Sequence, residues 1–255
     1  MSPEAADLPR ASSRDHHDAH PALAHHFESL AQQTETTTLG MWVFLATEVL
    51  FFGGLFVTYA IYRSWYPEAF AAASHELDVT LGTINTVVLI TSSLTMALAV
   101  HASQLGQRKL LMAFLILTMI LGAVFLGIKG VEYYHKFAEH HVPGPDFQFE
   151  KEHIRHAQIF FSLYFVMTGL HAVHMVIGIG IMLVMLWWSW NGTITEEYSS
   201  PIEISGLYWH FVDIVWIFLF PLLYLLGRHA HWWLHTFFQS ASTTRSSRSC
   251  CSART

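Results

Sequence analysis

The chain has 255 residues and a mass of 29.0 kDa, with 53% hydrophobic residues, 13% charged residues and a mean hydropathy of +0.36. A soluble domain carries about a quarter charged residues, so this make-up excludes a disordered chain, a soluble basic nucleic-acid binder and a disulfide-stapled secreted module. The net charge of −6 leaves no electrostatic footprint for a phosphate backbone, and what remains is an all-α, polytopic membrane protein.

A bilayer core needs about 20 mostly apolar residues per helix, because each backbone amide must find its partner inside the helix. Five segments meet that length: about Leu39 to Tyr62, Leu81 to Ala102, Leu110 to Tyr133, Ile159 to Trp188 and Leu207 to Leu226. Their continuous apolar character does not suit barrel strands, which alternate. Aromatic rings are expected at the interfaces: Trp65 and Tyr66 after the first span, Tyr133 and Tyr134 after the third, and Trp187, Trp188 and Trp190 after the fourth. Tyr208 and Trp209 are read as opening the fifth. Gly169, Ala172, Gly178 and Gly180 along the fourth span predict close helix approach. Pro221 predicts a kink in the fifth, where neighbours must meet the freed carbonyl.

The expected organisation is a polar, His-rich segment over 1–38, a five-helix membrane domain over 39–228, and an aromatic patch with a low-complexity tail over 229–255. His25 to Gln33 suits a short interfacial helix. Asp, Glu, Pro and His occupy the opening residues where a secretory leader would be apolar, so no signal peptide is expected. Cys250 and Cys251 are adjacent in the tail and form no framework. Basic residues fall in both the second loop (Arg108, Lys109) and the third (Lys136, Lys151, Arg155), so charge counting does not orient the chain.

Ionisable groups inside a span are expensive, and each is a candidate functional residue. Glu48 lies mid-span, either as a neutral acid bonded to a neighbouring helix or in proton or lipid-headgroup handling. His171 and His174 share a helix face three residues apart, and interhelical hydrogen bonding is favoured over metal or haem ligation. His210 and Asp213 have the same spacing and read as mutually neutralising buried groups before they read as a proton relay. The Glu-x-x-His steps Glu132–His135 and Glu150–His153, and His153-Ile154-Arg155-His156, have di-iron-like spacing. They lie at a span end and in a charged loop, where such patterns arise by chance. Asn191-Gly192-Thr193 fits a glycosylation acceptor, a three-residue pattern that proves nothing alone.

Three blocks carry a resemblance: Thr47-Glu48-Val49-Leu50-Phe51-Phe52-Gly53-Gly54, Thr168-Gly169-Leu170-His171-Ala172-Val173-His174-Met175-Val176-Ile177-Gly178, and Tyr208-Trp209-His210-Phe211-Val212-Asp213-Ile214-Val215-Trp216. Asn85-Thr86, Gly106-Gln107-Arg108-Lys109 and Glu132-Tyr133-Tyr134 add weaker agreement. With these, the sequence resembles subunit III of the haem-copper respiratory oxidases of the cytochrome c oxidase type, in its short five-helix bacterial form, across all five spans.

The resemblance implies a non-catalytic subunit that binds no haem, copper or other metal itself, while oxygen reduction and proton pumping belong to subunit I and electron entry to subunit II. It implies packing against subunit I as the main contact, stabilisation of that subunit, support of proton uptake, and phospholipid held in a cleft near the oxygen entry route. The family's glutamate maps onto Glu48, and the third block's polar pair onto His210 and Asp213. His171, His174 and Glu132 are expected in an intramembrane polar network. A bacterial inner membrane is implied, with the N-terminus cytoplasmic and the C-terminus periplasmic. Longer relatives have two further N-terminal spans; a His-rich segment stands in their place here, so a neighbouring subunit would complete the cleft. Docking of the chain ends onto another respiratory complex is a further expectation. Five-span relatives also serve quinol oxidases and occur near nitric oxide reductases, so those remain alternatives. A stand-alone His/Glu membrane metalloenzyme is the alternative of another class. A transporter built around Glu48 lacks inverted repeats and broken helix pairs.

Overall fold

Capping residues and one proline set the helix starts. Ser29 accepts a hydrogen bond from the Gln32 amide at 3.2 Å and starts α1 at Leu30, running to Trp65. Tyr66 breaks the chain and Pro67, suited by its fixed φ to a first helical turn, begins a short α2, Pro67–His75. Asp78 Oδ1 accepts from the amides of Thr80 and Leu81 and starts α3, Val79–Gln104. Gly106, at φ 66°, reverses the chain into α4, Arg108–Ala138. The remaining helices are α5, Ile154–Asn191, and α6, Ser200–Phe220, extended by a π-helical turn at Pro221–Leu225. The computed structural model describes residues 29–139, 154–192, 194 and 199–226. Most of the His-rich segment, the Glu150–His153 step, Thr193, and the tail with Cys250 and Cys251 lie outside them.

Among the described residues there are no strands, and α1, α3, α4, α5 and α6 are each long and apolar enough to cross a membrane. The all-α, five-span expectation therefore holds. α3, α4, α5 and α6 close a four-helix ring in which each packs against the next and α6 returns to α3. Half of the residues in α6's most apolar stretch are buried, against 11% for α1, so α6 is the central helix and α1 the outlier leaning on α5 and α6. α1 turns one narrow stripe inward, with Leu45, Phe52 and Tyr59 buried at seven-residue intervals. The sequence reading did not anticipate α2. It closes one end of the bundle by setting Phe70 edge-on to Tyr59 and Phe160, each with ring centroids 5.4 Å apart.

Three sequence expectations are corrected by this packing. The helix that carries the fifth span begins at Ser200, seven residues before Leu207, through a stretch whose hydropathy Glu203 and Ser205 dilute. Tyr208 and Trp209 therefore sit inside the bundle, and Trp209 is fully buried. Of the small residues on α5, Gly178 permits a close approach: a Cβ there would lie 2.9 Å from the Trp209 ring, whereas one at Gly180 would meet nothing within 4 Å and one at Gly169 only the Tyr133 hydroxyl at 3.8 Å. Across the bundle, Gly122 of α4 admits the far edge of the same indole, again at 2.9 Å. The indole Nε1 donates to Ser92 Oγ at 3.1 Å, so Trp209 ties α3, α4 and α5 to α6. The third correction concerns α1, which opens at Leu30, before the span predicted from Leu39; Thr34 near its start meets Ser200 of α6 at 3.0 Å.

Pro221 does perturb the fifth span, as a widened turn. Tyr59 donates to the Leu222 carbonyl at 2.9 Å and Arg63 to the Leu226 carbonyl at 2.6 Å. Side chains of α1 thus meet one carbonyl of the wide turn and one just after it, at the end of the described helix.

Candidate functional site

Glu48 projects from α1 toward α5, where its Oε2 lies 3.2 Å from His174 Nε2. His174 Nδ1 is 2.8 Å from the Leu170 carbonyl, and because a carbonyl only accepts, Nδ1 carries a proton. A hydrogen bond at Nε2 then needs one further proton, on the imidazole or on the carboxyl. A neutral acid beside a neutral imidazole and a carboxylate beside an imidazolium both leave the pair with no net charge. That neutrality makes an acid tolerable at membrane depth. Phe52 packs its ring at 5.3 Å against His174, and Tyr208 donates to the His174 carbonyl at 3.1 Å.

The pair sits at the floor of a groove of about 470 Å³ between α1, α5 and α6, whose walls include Met41, Phe44, Ile177, Ile181 and Tyr208. A smaller cavity of about 220 Å³ adjoins it, shares Ile204 and Ser205, and is edged by Gln33, Thr34, Thr37 and Ser200. The apolar groove therefore continues to the polar end of α1.

His171 does not behave as its neighbour does. It is buried, and neither ring nitrogen has a hydrogen-bond partner among the described residues. Its ring rests between Phe125, at 5.5 Å, and Trp216, at 5.4 Å. The expected histidine pair is thus one hydrogen-bonded imidazole and one imidazole packed among aromatics. His210 and Asp213 are not directly paired either: His210 Nδ1 is 2.8 Å from Ser93 Oγ on α3, which stands between the two.

Glu132 belongs to a buried network in which Oε2 accepts from Lys129 at 2.8 Å and Oε1 accepts from Tyr164 at 2.9 Å and from Tyr224. Lys129 also donates to Tyr224 at 2.6 Å and lies 4.5 Å from the Trp216 ring centroid. The network joins α4, α5, α6 and the π turn. His135 is exposed and turned away, so Glu132–His135 is not a ligand step. The sequence reading missed Lys129, although a lysine three residues before a glutamate inside an apolar span was the available signal. No cluster of three or more His, Cys, Asp or Glu side chains suited to a metal forms among the described residues.

The family model described as cytochrome c oxidase subunit III matches residues 21–228. The chain belongs to the cytochrome c oxidase subunit III family. It is 36% identical over 199 residues to the quinol oxidase subunit 3 of Bacillus spizizenii, covering 76% of this chain and 91% of that one. It is 32% identical to the cytochrome c oxidase subunit 3 of Alkalihalophilus pseudofirmus over 82% of this chain and 96% of the relative. Similarity extends to the cytochrome bo(3) ubiquinol oxidase subunit 3 of Pseudomonas aeruginosa, 29% identical over 82% and 94% of the two chains. Subunit III membership makes this chain a non-catalytic membrane component of an oxidase complex, and relatives of both donor types stand at similar distance. Every residue of the Glu48–His174 groove falls within the matched region.

Proposed function

We propose that the chain is the accessory subunit of an inner-membrane oxidase that reduces oxygen at centres held by subunit I. Its own work is to brace that subunit, hold phospholipid beside the oxygen route and support proton uptake. The Glu48–His174 pair beneath an apolar groove carries this reading. The groove admits an acyl chain, the adjoining hydroxyl- and amide-lined cavity suits the polar part of a lipid, and the pair, with no net charge, fixes α1 to α5 without placing a lone charge in hydrocarbon. Five crossings would carry the two ends of the bundle to opposite membrane faces, and in this reading the N-terminal end is the cytoplasmic one.

Subunit I is the proposed main contact, with subunit II in the same complex supplying electrons from cytochrome c; quinol is the alternative donor, since relatives named for either donor are similar to this chain. The test is affinity purification of the tagged chain from gently solubilised membranes. Co-purification of a haem protein, phospholipid and oxygen-consuming activity supports the reading; recovery of this chain free of any haem protein refutes it. Reduction of the purified complex by cytochrome c or by a quinol then assigns the donor.

A further inference from the structure

On the side of α6 away from α1, a second groove of about 440 Å³ runs between α3 and α6. Its lips are Ile90 and Leu94 of α3 and Ile214 and Ile217 of α6, all exposed on the outer face of the bundle. Between the lips, Ser93, His210 and Asp213 supply polar groups beside the buried Leu89. Asp213 is only 3% exposed, and neither carboxyl oxygen has a hydrogen-bond partner among the described residues. The neighbouring Ser93 hydroxyl is engaged with His210 and could serve one of those oxygens only if His210 donates to it. The other would still be unmet. A protonated acid would not escape the problem, since it has a donor and an acceptor to place.

The depth of this acid decides what can meet it. Asp213 lies thirteen residues after Ser200 and twelve before Leu225, so at about 1.5 Å per residue it is roughly 20 Å from either end of the crossing. Lipid headgroups lie about 15 Å from the bilayer centre, and acyl chains offer no donor or acceptor. A buried polar group left unmet costs about 1–3 kcal/mol, and the partner that can supply the missing group at mid-bilayer is another protein helix. The Glu48 groove differs in this respect, because its acid already has an imidazole from its own chain.

We propose that the α3–α6 groove seats a transmembrane helix of a neighbouring oxidase subunit, which presents a hydroxyl, amide, indole or imidazole group to Asp213. The proposal rests on the reading of the chain as a complex-forming subunit and adds the face and the polar anchor. Leu94 and Ile217 flank the seat on its two sides, while Leu50 on α1, which is 76% exposed, faces outward away from it.

The test uses the complete complex in native membranes. A benzophenone amino acid is placed at Leu94, Ile217 or Leu50, the membranes are irradiated, and adducts are identified by mass spectrometry. The expected result is capture of a transmembrane peptide of another subunit from Leu94 and Ile217 but not from Leu50. In parallel, Asp213→Asn is expected to hold the complex together through detergent challenge and Asp213→Leu to lose the haem protein. Adducts from Leu94 and Ile217 with lipid alone or with a second copy of this chain would overturn the proposal. Equal capture of the same peptides from Leu50 would do so too, as would equal retention by both Asp213 variants. If the tagged unmodified chain brings down a haem protein, any of those results defeats the groove assignment alone; if it brings down none, both readings fall.

Discussion

Gly178 and Gly180 lie two residues apart on α5 and are indistinguishable by composition, but the packing of Trp209 separates them. A Cβ at position 178 would lie 2.9 Å from two carbons of the indole and 3.2 Å from the Tyr208 ring. Carbon contacts settle at about 3.5–4.0 Å, so the indole must retreat by more than half an ångström. It has little room to do so, because Gly122 receives its other edge and Ser92 holds its nitrogen at 3.1 Å. Overpacking of this kind costs about 1–3 kcal/mol. Both Gly178→Ala and Gly180→Ala gain helix propensity, up to about 1 kcal/mol, so the difference between the variants isolates the steric effect. For a chain of this size about 2 kcal/mol corresponds to a Tm difference of roughly 4–8 °C. Thermal unfolding of the solubilised complex, followed through tryptophan fluorescence, should place Gly178→Ala below wild type and Gly180→Ala at or above it. Trp209→Phe should recover part of the loss in the Gly178→Ala background. Equal Tm values for the two alanine variants would refute the assignment of Trp209 as the wedge between α4 and α5.

Further outcomes are expected at the polar sites. Glu48→Ala should leave haem spectra and initial oxygen consumption near wild type while shortening the number of turnovers before inactivation, with Glu48→Gln milder because it keeps a hydrogen bond to His174; immediate loss of the haem spectrum in Glu48→Ala would contradict this. Lys129→Met strands Glu132 in the interior and should destabilise by about 3–5 kcal/mol, with much of it regained in Lys129→Met/Glu132→Gln; additive losses in thermal unfolding would contradict the coupling. His174→Gln should be tolerated better than His174→Leu, whereas His171→Leu should be neutral or stabilising because an unmet buried imidazole costs about 1–3 kcal/mol; a His171→Leu variant as damaged as His174→Leu would show a second polar role.

The crossings were legible because backbone amides in hydrocarbon impose long apolar runs, a constraint written residue by residue in the sequence. Their ends were less so: Glu203 and Ser205 masked the first two turns of α6, and this displaced Tyr208 and Trp209 from the bundle interior to an imagined interface. The candidate acids and histidines were visible for the same reason as the spans, since Glu48, His174, Asp213 and Glu132 each stand out against apolar neighbours. Their partners were not, because pairing depends on how α1 leans on α5 and where α3 meets α6. Periodicity along one helix cannot show that Glu48 finds His174 across a groove while His210 finds Ser93 and leaves Asp213 behind. Lys129 was readable in principle, as a cation one turn before Glu132 on the same helix, and its partners Tyr164 and Tyr224 were not. The α2 helix was hidden by its length, too short for a span and too apolar for an ordinary loop.

In the proposed function, these helices support redox centres belonging to another polypeptide. The most direct measurement is to strip this chain from the purified complex and analyse both fractions for haem, metal and oxygen consumption. The prediction is a separated chain without haem, iron or copper, and a depleted complex that keeps its haem spectrum and most of its initial rate. Stoichiometric haem or metal in the separated chain, or abolition of the haem spectrum in the remainder, would contradict it.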